Sequence, residues 1–200
     1  MLPFSTPTPS NSSIQSTMFT GIIQGVATIA AMHDQSGMRT FTLEFPQGFC
    51  QDLAIGASVS VDGVCLTVTE LVSPSAATFD VMLQSLNITT LGSYAVGSRV
   101  NVERAAKDGA EIGGHPLSGH IDFSAAVVSV TTSDTNLLLR FDIPPDFRKY
   151  VFAKGYIAIN GASLTVAEVN RVEGWFEVWL ITETLRMTVF AHKNVGERLN

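Results

Sequence analysis

The chain has 200 residues, 46% of them apolar and 15% charged, with a formal net charge of −6. That apolar content is enough for a buried core in one large or two small domains and excludes wholesale disorder, while the negative balance argues against a general nucleic-acid binder, which carries a basic face. No apolar run approaches the ~20 residues of a membrane-spanning helix, and the two cysteines, Cys50 and Cys65, are too few for a disulfide framework and form no CxxC pair, which points to a reduced, cytoplasmic compartment.

Residues 1–17, MLPFSTPTPSNSSIQST, carry no charged side chain and are rich in Ser, Thr and Pro, the composition of a disordered tail. A plastid-type transit piece and a start codon placed ahead of a true Met18 both fit it. The first ordered unit opens with FTGIIQGVATI (19–29). Pro46 begins a short helical turn that ends near Gly56. ASVSVDGVCLTVTEL (57–71) alternates apolar and polar residues around Asp62-Gly63, which predicts two strands joined by a hairpin turn. ATFDVML (77–83) is a further strand, QSLNIT (84–89) a short helix and SRVNVER (98–104) another strand. Charge and glycine then concentrate in the join, ERAAKDGAEIGGH (103–115).

The same series is then written again. LSGHIDFSAAV (117–127) overlies 19–29, matching Gly21/Gly119, Ile23/Ile121 and Ala27/Ala125, and Pro144 opens a turn that ends near Gly155. INGASLTVAEV (159–169) repeats VDGVCLTVTEL (61–71) at an offset of 98, with Asn160-Gly161 as its turn. GWFEVWLI (174–181) and ETLRMT (183–188) follow, and at offset 99 Leu86/Leu185, Thr89/Thr188, Gly97/Gly196 and Asn101/Asn200 match. Such a period is too long for a solenoid and means duplicated domains. About six short strands per unit, without a long amphipathic helix, predict an all-β protein of two tandem homologous six-stranded Greek-key β-barrels with short helices. The barrels are expected over 18–114 and 115–200, the last strand of the second cut short at GERLN.

Two places bear chemistry. EIGGHPLSGH (111–120) holds His115, His120, three glycines and a serine. A metal needs a third and usually a fourth ligand, and His33 and His192 lie in unremarkable contexts, so no metal site is expected. Linker and ligand loop both remain open for this stretch. Cys65 and Thr67 lie on one face of their strand, as do Ser163 and Thr165 on theirs. Repetition of small polar groups there means either a cavity wall or groups satisfied locally. Lys154 stands where the first unit has Gly56.

Taken together, MFTGIIQG (18–25), VDGVCLTVTE (61–70), VGSRVNVERAA (96–106), IGGHPLSGHI (112–121) and INGASLTV (159–166) resemble the riboflavin synthases, the family with two lumazine-binding repeats, over nearly everything from Met18 to Asn200. The resemblance implies dismutation of two molecules of 6,7-dimethyl-8-ribityllumazine without metal or nucleotide cofactor. It also implies a homotrimer whose sites lie between the first barrel of one subunit and the second of another. The family's trailing helix, associated with the trimer, would follow Asn200, the last residue here. Carried over, the first pocket comprises Gly21, Ile22 and Ile23, Cys65, Leu66 and Thr67, and Asp80, Val81, Met82, Leu83, Gln84 and Ser85. The second comprises Gly119, His120 and Ile121, Lys154, Ser163, Leu164 and Thr165, and Leu180, Ile181, Thr182, Glu183, Thr184 and Leu185. His115 or His120 is expected to move protons, since imidazole works near neutral pH, with Cys65, Ser163 and Thr165 orienting or activating groups. Two departures stand out: Gln84-Ser85 where the family has Glu-Thr, and Asn160 where it has Asp. They keep a second expectation alive, a noncatalytic lumazine- or flavin-binding antenna protein of the same fold.

Overall fold

Asp62 (φ 44°) and Gly63 (φ 85°) are both left-handed, and so are Asn160 (φ 41°) and Gly161 (φ 80°). That is the backbone a two-residue type I′ hairpin requires, and it explains the choice of Asp, Asn and Gly. The computed structural model describes residues 18–107 and 109–200; the tail 1–17 lies outside the described residues. The first unit contains β1 (Gly25–Gln35), β2 (Met38–Glu44), β3 (Ser58–Val61), β4 (Val64–Ser73), β5 (Ala76–Met82), α1 (Leu83–Ile88) and β6 (Arg99–Arg104). The second contains β7 (Ala125–Ser133), β8 (Asn136–Asp142), β9 (Tyr156–Ile159), β10 (Ala162–Asn170), β11 (Trp175–Leu180), α2 (Thr182–Met187) and β12 (Arg198–Leu199). Pro144 leads into a 3₁₀ turn, Pro145–Tyr150; after Pro46 the chain makes turns only.

The first sheet closes in the order β1-β2-β5-β4-β3-β6, and the second follows the same order, β7-β8-β11-β10-β9, with β12 beside β7. β6 is long enough to pair with both β1 and β3. β12 pairs only with β7. The second barrel therefore meets at its seam through one residue pair: Asn160 N–H donates to Asn200 O (3.0 Å), and Asn200 N–H donates to Asn160 Oδ1 (2.7 Å). The change of offset from 98 to 99 falls at the β10–β11 turn, whose four residues 171–174 replace the three residues Ser73-Pro74-Ser75.

Each barrel has its own core, and bulk is permuted between them. The rung Phe41–Phe79 in the first barrel is Leu139–Val178 in the second, while Leu43–Ala77 becomes Phe141–Phe176. All eight residues are at most 2% exposed. Moving the aromatic pair one rung along keeps the packed volume while changing four residues, which is why the two units share a shape with little identity here.

Two buried side chains, Asn101 and Asn200, lock the barrels about a pseudo-twofold axis. Asn101 donates from Nδ2 to Asn160 O (3.0 Å) and accepts from Val189 N–H (2.9 Å). Asn200 mirrors it, donating to Asp62 O (2.9 Å) and accepting from Thr90 N–H (2.7 Å). Asp62 accepts from Asn101 N–H (2.8 Å) and from the Tyr94 hydroxyl (2.5 Å), which itself accepts from Thr90 Oγ1 (2.8 Å). Burial pushes the Asp62 carboxyl up to about 6 despite those bonds and Lys193 nearby. Gly63 and Gly161 meet back to back on the axis, where a Cβ on either would lie 2.8 or 2.9 Å from the other's backbone nitrogen.

Candidate active site

The segments that precede each barrel reach across to the other one before joining their own. The arm of residues 18–24 touches the second barrel through Gly21 and Ile23 and the first through Val102 and Glu103, and the arm of residues 116–123 touches the first barrel through Gly119 and Ile121 and the second through Phe123. Ser163 N–H donates to Gly21 O (2.9 Å), and Cys65 N–H donates to Gly119 O (2.9 Å). Ile23 is buried in the second core, while Ile121 packs against the first. The arms cross as a two-stranded bridge in which Phe19 and Leu117 exchange backbone bonds, each 2.9 Å. Glycine is required at both contacts. A Cβ on Gly21 (φ 75°) would lie 2.4 Å from Ser163 Cβ, and one on Gly119 (φ 77°) 2.6 Å from Cys65 Cβ.

This exchange corrects the pocket grouping expected from the repeats. Gly21, Ile22 and Ile23 belong with Ser163, whereas Gly119, His120 and Ile121 belong with Cys65. The two histidines part company. His120, whose N–H donates to Ser118 Oγ (3.2 Å), follows Gly119 beside Cys65. His115 goes to the other face, where its Nδ1 lies 2.7 Å from Ser163 Oγ. Its ring stacks on Tyr156 (centroids 3.8 Å apart, planes 12°), and its backbone N–H donates to Thr20 O (2.8 Å). Three contacts thus fix a histidine that remains open to solvent on one side.

Alternation along the strands sorts the remaining candidates. Cys65, Thr67, Asp80 and Met82 point outward on β4 and β5, with Leu83 and Gln84 exposed and Ser85 half-buried at the start of α1. Leu66 and Val81 point into the core and offer only backbone. Ser163 and Thr165 point outward on β10, beside Trp179 on β11 and the exposed Ile181, Thr182 and Glu183. Leu180 is fully buried, Leu164 and Leu185 pack on the second core, and Thr184 O accepts from Thr188 Oγ1 (2.6 Å). Asp80 accepts from Thr40 Oγ1 (2.6 Å), and its counterpart in the second unit is Trp179, so one face is ionic where the other is aromatic. Lys154 is exposed and left-handed (φ 65°) where Gly56 has φ 86°.

Burial pushes the Cys65 thiol up, against a hydrogen bond from Ser58 that lowers it. The group is a neutral thiol at physiological pH and orients rather than attacks. The Gln84-Ser85 departure is also matched. Glu183 forms an exposed pair with Arg186 (2.6 Å), and the first unit replaces both partners, with Gln84 and Asn87. A cavity of about 690 Å³ runs along the β9–β12 seam, walled by Phe141, Phe176, Tyr156 and Leu199 with Gly119 and His120 at its rim. It lies between the second barrel and the 116–123 arm, with Phe19, Ser60 and Gly63 closing it on the first-barrel side, and Cys65, Thr67, Ser163 and Thr165 are not in its wall.

Two residues that sequence reasoning missed complete the geometry. Tyr156 is the platform for His115. Glu103, placed in the charged join by its neighbours, is at the end of β6 and is 1% exposed. Its Oε1 accepts from Thr20 N–H (2.6 Å) and Thr20 Oγ1 (2.7 Å), and its Oε2 accepts from Gly21 N–H (3.0 Å). Burial raises its pKa, and those three bonds lower it.

The lumazine binding domain family matches residues 20–105 and again 118–200. The riboflavin synthase of Escherichia coli K12 is 45% identical over 184 residues, covering 92% of this chain and 85% of that protein. That of Mycobacterium bovis is 36% identical, covering 92% and 91%, and that of Chlamydia pneumoniae 38%, covering 92% and 88%. Among solved structures, LumP complexed with riboflavin superposes with a TM-score of 0.84 at 26% identity, covering 91% of this chain and 97% of that one. LumP complexed with 6,7-dimethyl-8-(1'-D-ribityl) lumazine gives 0.80.

Proposed function

The chain belongs to the lumazine-binding domain family and is a riboflavin synthase, and from that premise we propose how its two faces divide the reaction. Two molecules of 6,7-dimethyl-8-ribityllumazine dismutate. One gives up a four-carbon unit, the other receives it, and riboflavin and 5-amino-6-(D-ribitylamino)uracil leave. Carbon and electrons balance between the two substrates, so the reaction needs no external oxidant.

One lumazine lies on the Cys65–Thr67 face with Asp80, Met82 and the Gly119–Ile121 arm. The other lies on the Ser163–Thr165 face with Lys154, Trp179 and the Gly21–Ile23 arm. Both faces are outward and half-open, so each gains its cover from a second copy, in a homotrimer that brings the first barrel of one subunit to the second of another. Holding the two rings face to face contributes most of the acceleration; orientation alone is worth up to roughly 7–11 kcal/mol of barrier in favourable reactions. The remaining need is a path for the proton of the acidic 7-methyl group. Ser163 Oγ meets the substrate, and His115 behind it takes the proton through the hydroxyl. The enzyme works in the cytoplasm, or in a plastid if the tail is a transit piece.

The observation that carries this assignment is the 2.7 Å contact between His115 Nδ1 and Ser163 Oγ, with the ring clamped on Tyr156. The purified protein incubated with 6,7-dimethyl-8-ribityllumazine is expected to develop flavin absorbance. Ser163→Ala and His115→Ala are each expected to lower turnover by about 10²-fold or more while binding the lumazine. Unchanged turnover in both removes the pair from catalysis. Tight binding by the wild type without flavin selects the antenna reading instead.

A further inference from the structure

We infer that Glu103, which belongs to the first barrel, is the positioning residue for the His115–Ser163 pair on the second. The inference rests on the catalytic reading above and follows one chain of contacts. The Glu103 carboxylate gathers Thr20 N–H, Thr20 Oγ1 and Gly21 N–H, so both its oxygens are committed to the arm. The two carbonyls of those same arm residues then hold the two catalytic residues: Thr20 O accepts from His115 N–H (2.8 Å) and Gly21 O from Ser163 N–H (2.9 Å). No other carboxylate bonds to the arm among the described residues.

The arm has no sheet of its own to fix it. Its backbone is neither helix nor strand between Thr20 and Gln24; bonds to Val102, Arg104 and Ala106 fix its two ends, at Met18 and Gln24, and the Phe19–Leu117 bridge holds one more residue, while Thr20 and Gly21, whose carbonyls hold the pair, have their N–H groups bound by this carboxylate. Gly114 reinforces the same point from the other side, since a Cβ there would fall 2.0 Å from Thr20 O. Glu103 therefore sets how far His115 and Ser163 stand from each other without touching the substrate. A displacement of ~1 Å in such a pair costs on the order of 10²-fold in rate.

The test uses the full chain. Glu103→Gln keeps the shape and one acceptor but turns an amide donor toward Gly21 N–H. Its expected kcat is about 10²-fold below wild type with KM changed less than about threefold, the signature of misplaced catalytic groups rather than lost binding. Thr20→Val, which removes one of the three bonds, is expected to lower kcat in the same direction by a smaller factor. With isotopically labelled lumazine followed by NMR, the resonance of ligand on the Cys65 face is expected to be unchanged in both variants, while the His115 ring signals move. Wild-type kcat in both variants, or equal loss of ligand from both faces, overturns the inference. Should the wild type make no riboflavin, the catalytic reading fails on its own, and an unmoved His115 signal in Thr20→Val would then also refute Glu103 as its positioner.

Discussion

Asp62→Asn probes the lock between the barrels. Asp62 has no exposure, and its counterpart across the pseudo-twofold axis is Asn160 in the same left-handed turn, so the asparagine backbone is already proven there. Burial holds the Asp62 carboxyl near 6 in the folded protein against an ordinary 3.8. Above pH 6 it is ionised in both states, and the fold bears the cost of burying it. As the pH falls from about 6 to about 4, the folded protein takes up the proton before the unfolded chain does, so stability rises by about 3 kcal/mol and then levels. The carboxylates held below their ordinary range, such as Glu183, act in the opposite direction, so the quantity to follow is wild type minus variant.

Asparagine abolishes the Asp62 contribution and can keep every contact. Its Oδ1 still accepts from Asn101 N–H, and its amide donates to Tyr94, whose hydroxyl then donates to Thr90 Oγ1. Urea unfolding between pH 4 and 7.5, followed by fluorescence of Trp175 and Trp179 and by circular dichroism, is expected to show a variant at least as stable as wild type at pH 7. The difference should move about 3 kcal/mol in favour of wild type by pH 4. Parallel stability curves would refute the argument, because they would mean that the carboxyl is no harder to ionise folded than unfolded.

Gly21→Ala and Gly97→Ala form a matched pair. Both positions are left-handed (φ 75° and 90°), but Gly97 faces open space while a Cβ on Gly21 meets Ser163. Thermal unfolding is expected to show a loss of about 1–2 kcal/mol for Gly97→Ala from backbone strain, and a larger loss plus a drop in riboflavin formation for Gly21→Ala; equal losses would discount the arm contact. Lys154→Gly removes a strained side chain at a position that is already glycine in the first unit. Stability is expected to hold or rise by up to about 1 kcal/mol while lumazine binds more weakly on the Ser163 face, and a variant that binds as wild type would make Lys154 a solvated charge.

The duplication, the two hairpin turns and the polar faces were legible because each is written locally. Asp62-Gly63 and Asn160-Gly161 need no tertiary information to choose a type I′ turn, and Cys65/Thr67 and Ser163/Thr165 declare a shared face by spacing alone. The crossing of the arms was not legible, for a reason inherent in repeats. Gly21 facing Cys65 and Gly21 facing Ser163 are equivalent pairings of a glycine with a small polar residue, and nothing in one dimension separates them. Glu103 was hidden differently. SRVNVER places it on a strand, but beside the charged run ERAAKDGAE it reads as solvated, and only the pairing of Ser60 with Glu103 across β3 and β6 shows that the position is buried. The β1–β2 hairpin escaped separate notice because HDQSGM, its tip, is exposed and lacks the Asn-Gly or Asp-Gly signature.

Because the arms are exchanged, neither half owns a finished face. A lone repeat would carry its leading segment with nowhere of its own to put it, and would satisfy it by trading with a twin. Joining the halves in one polypeptide turns that trade from a bimolecular encounter into a tethered one, at an effective concentration in the millimolar range for a short linker. It also frees the two partners to diverge, so that aspartate stands on one face and tryptophan at the matching place on the other.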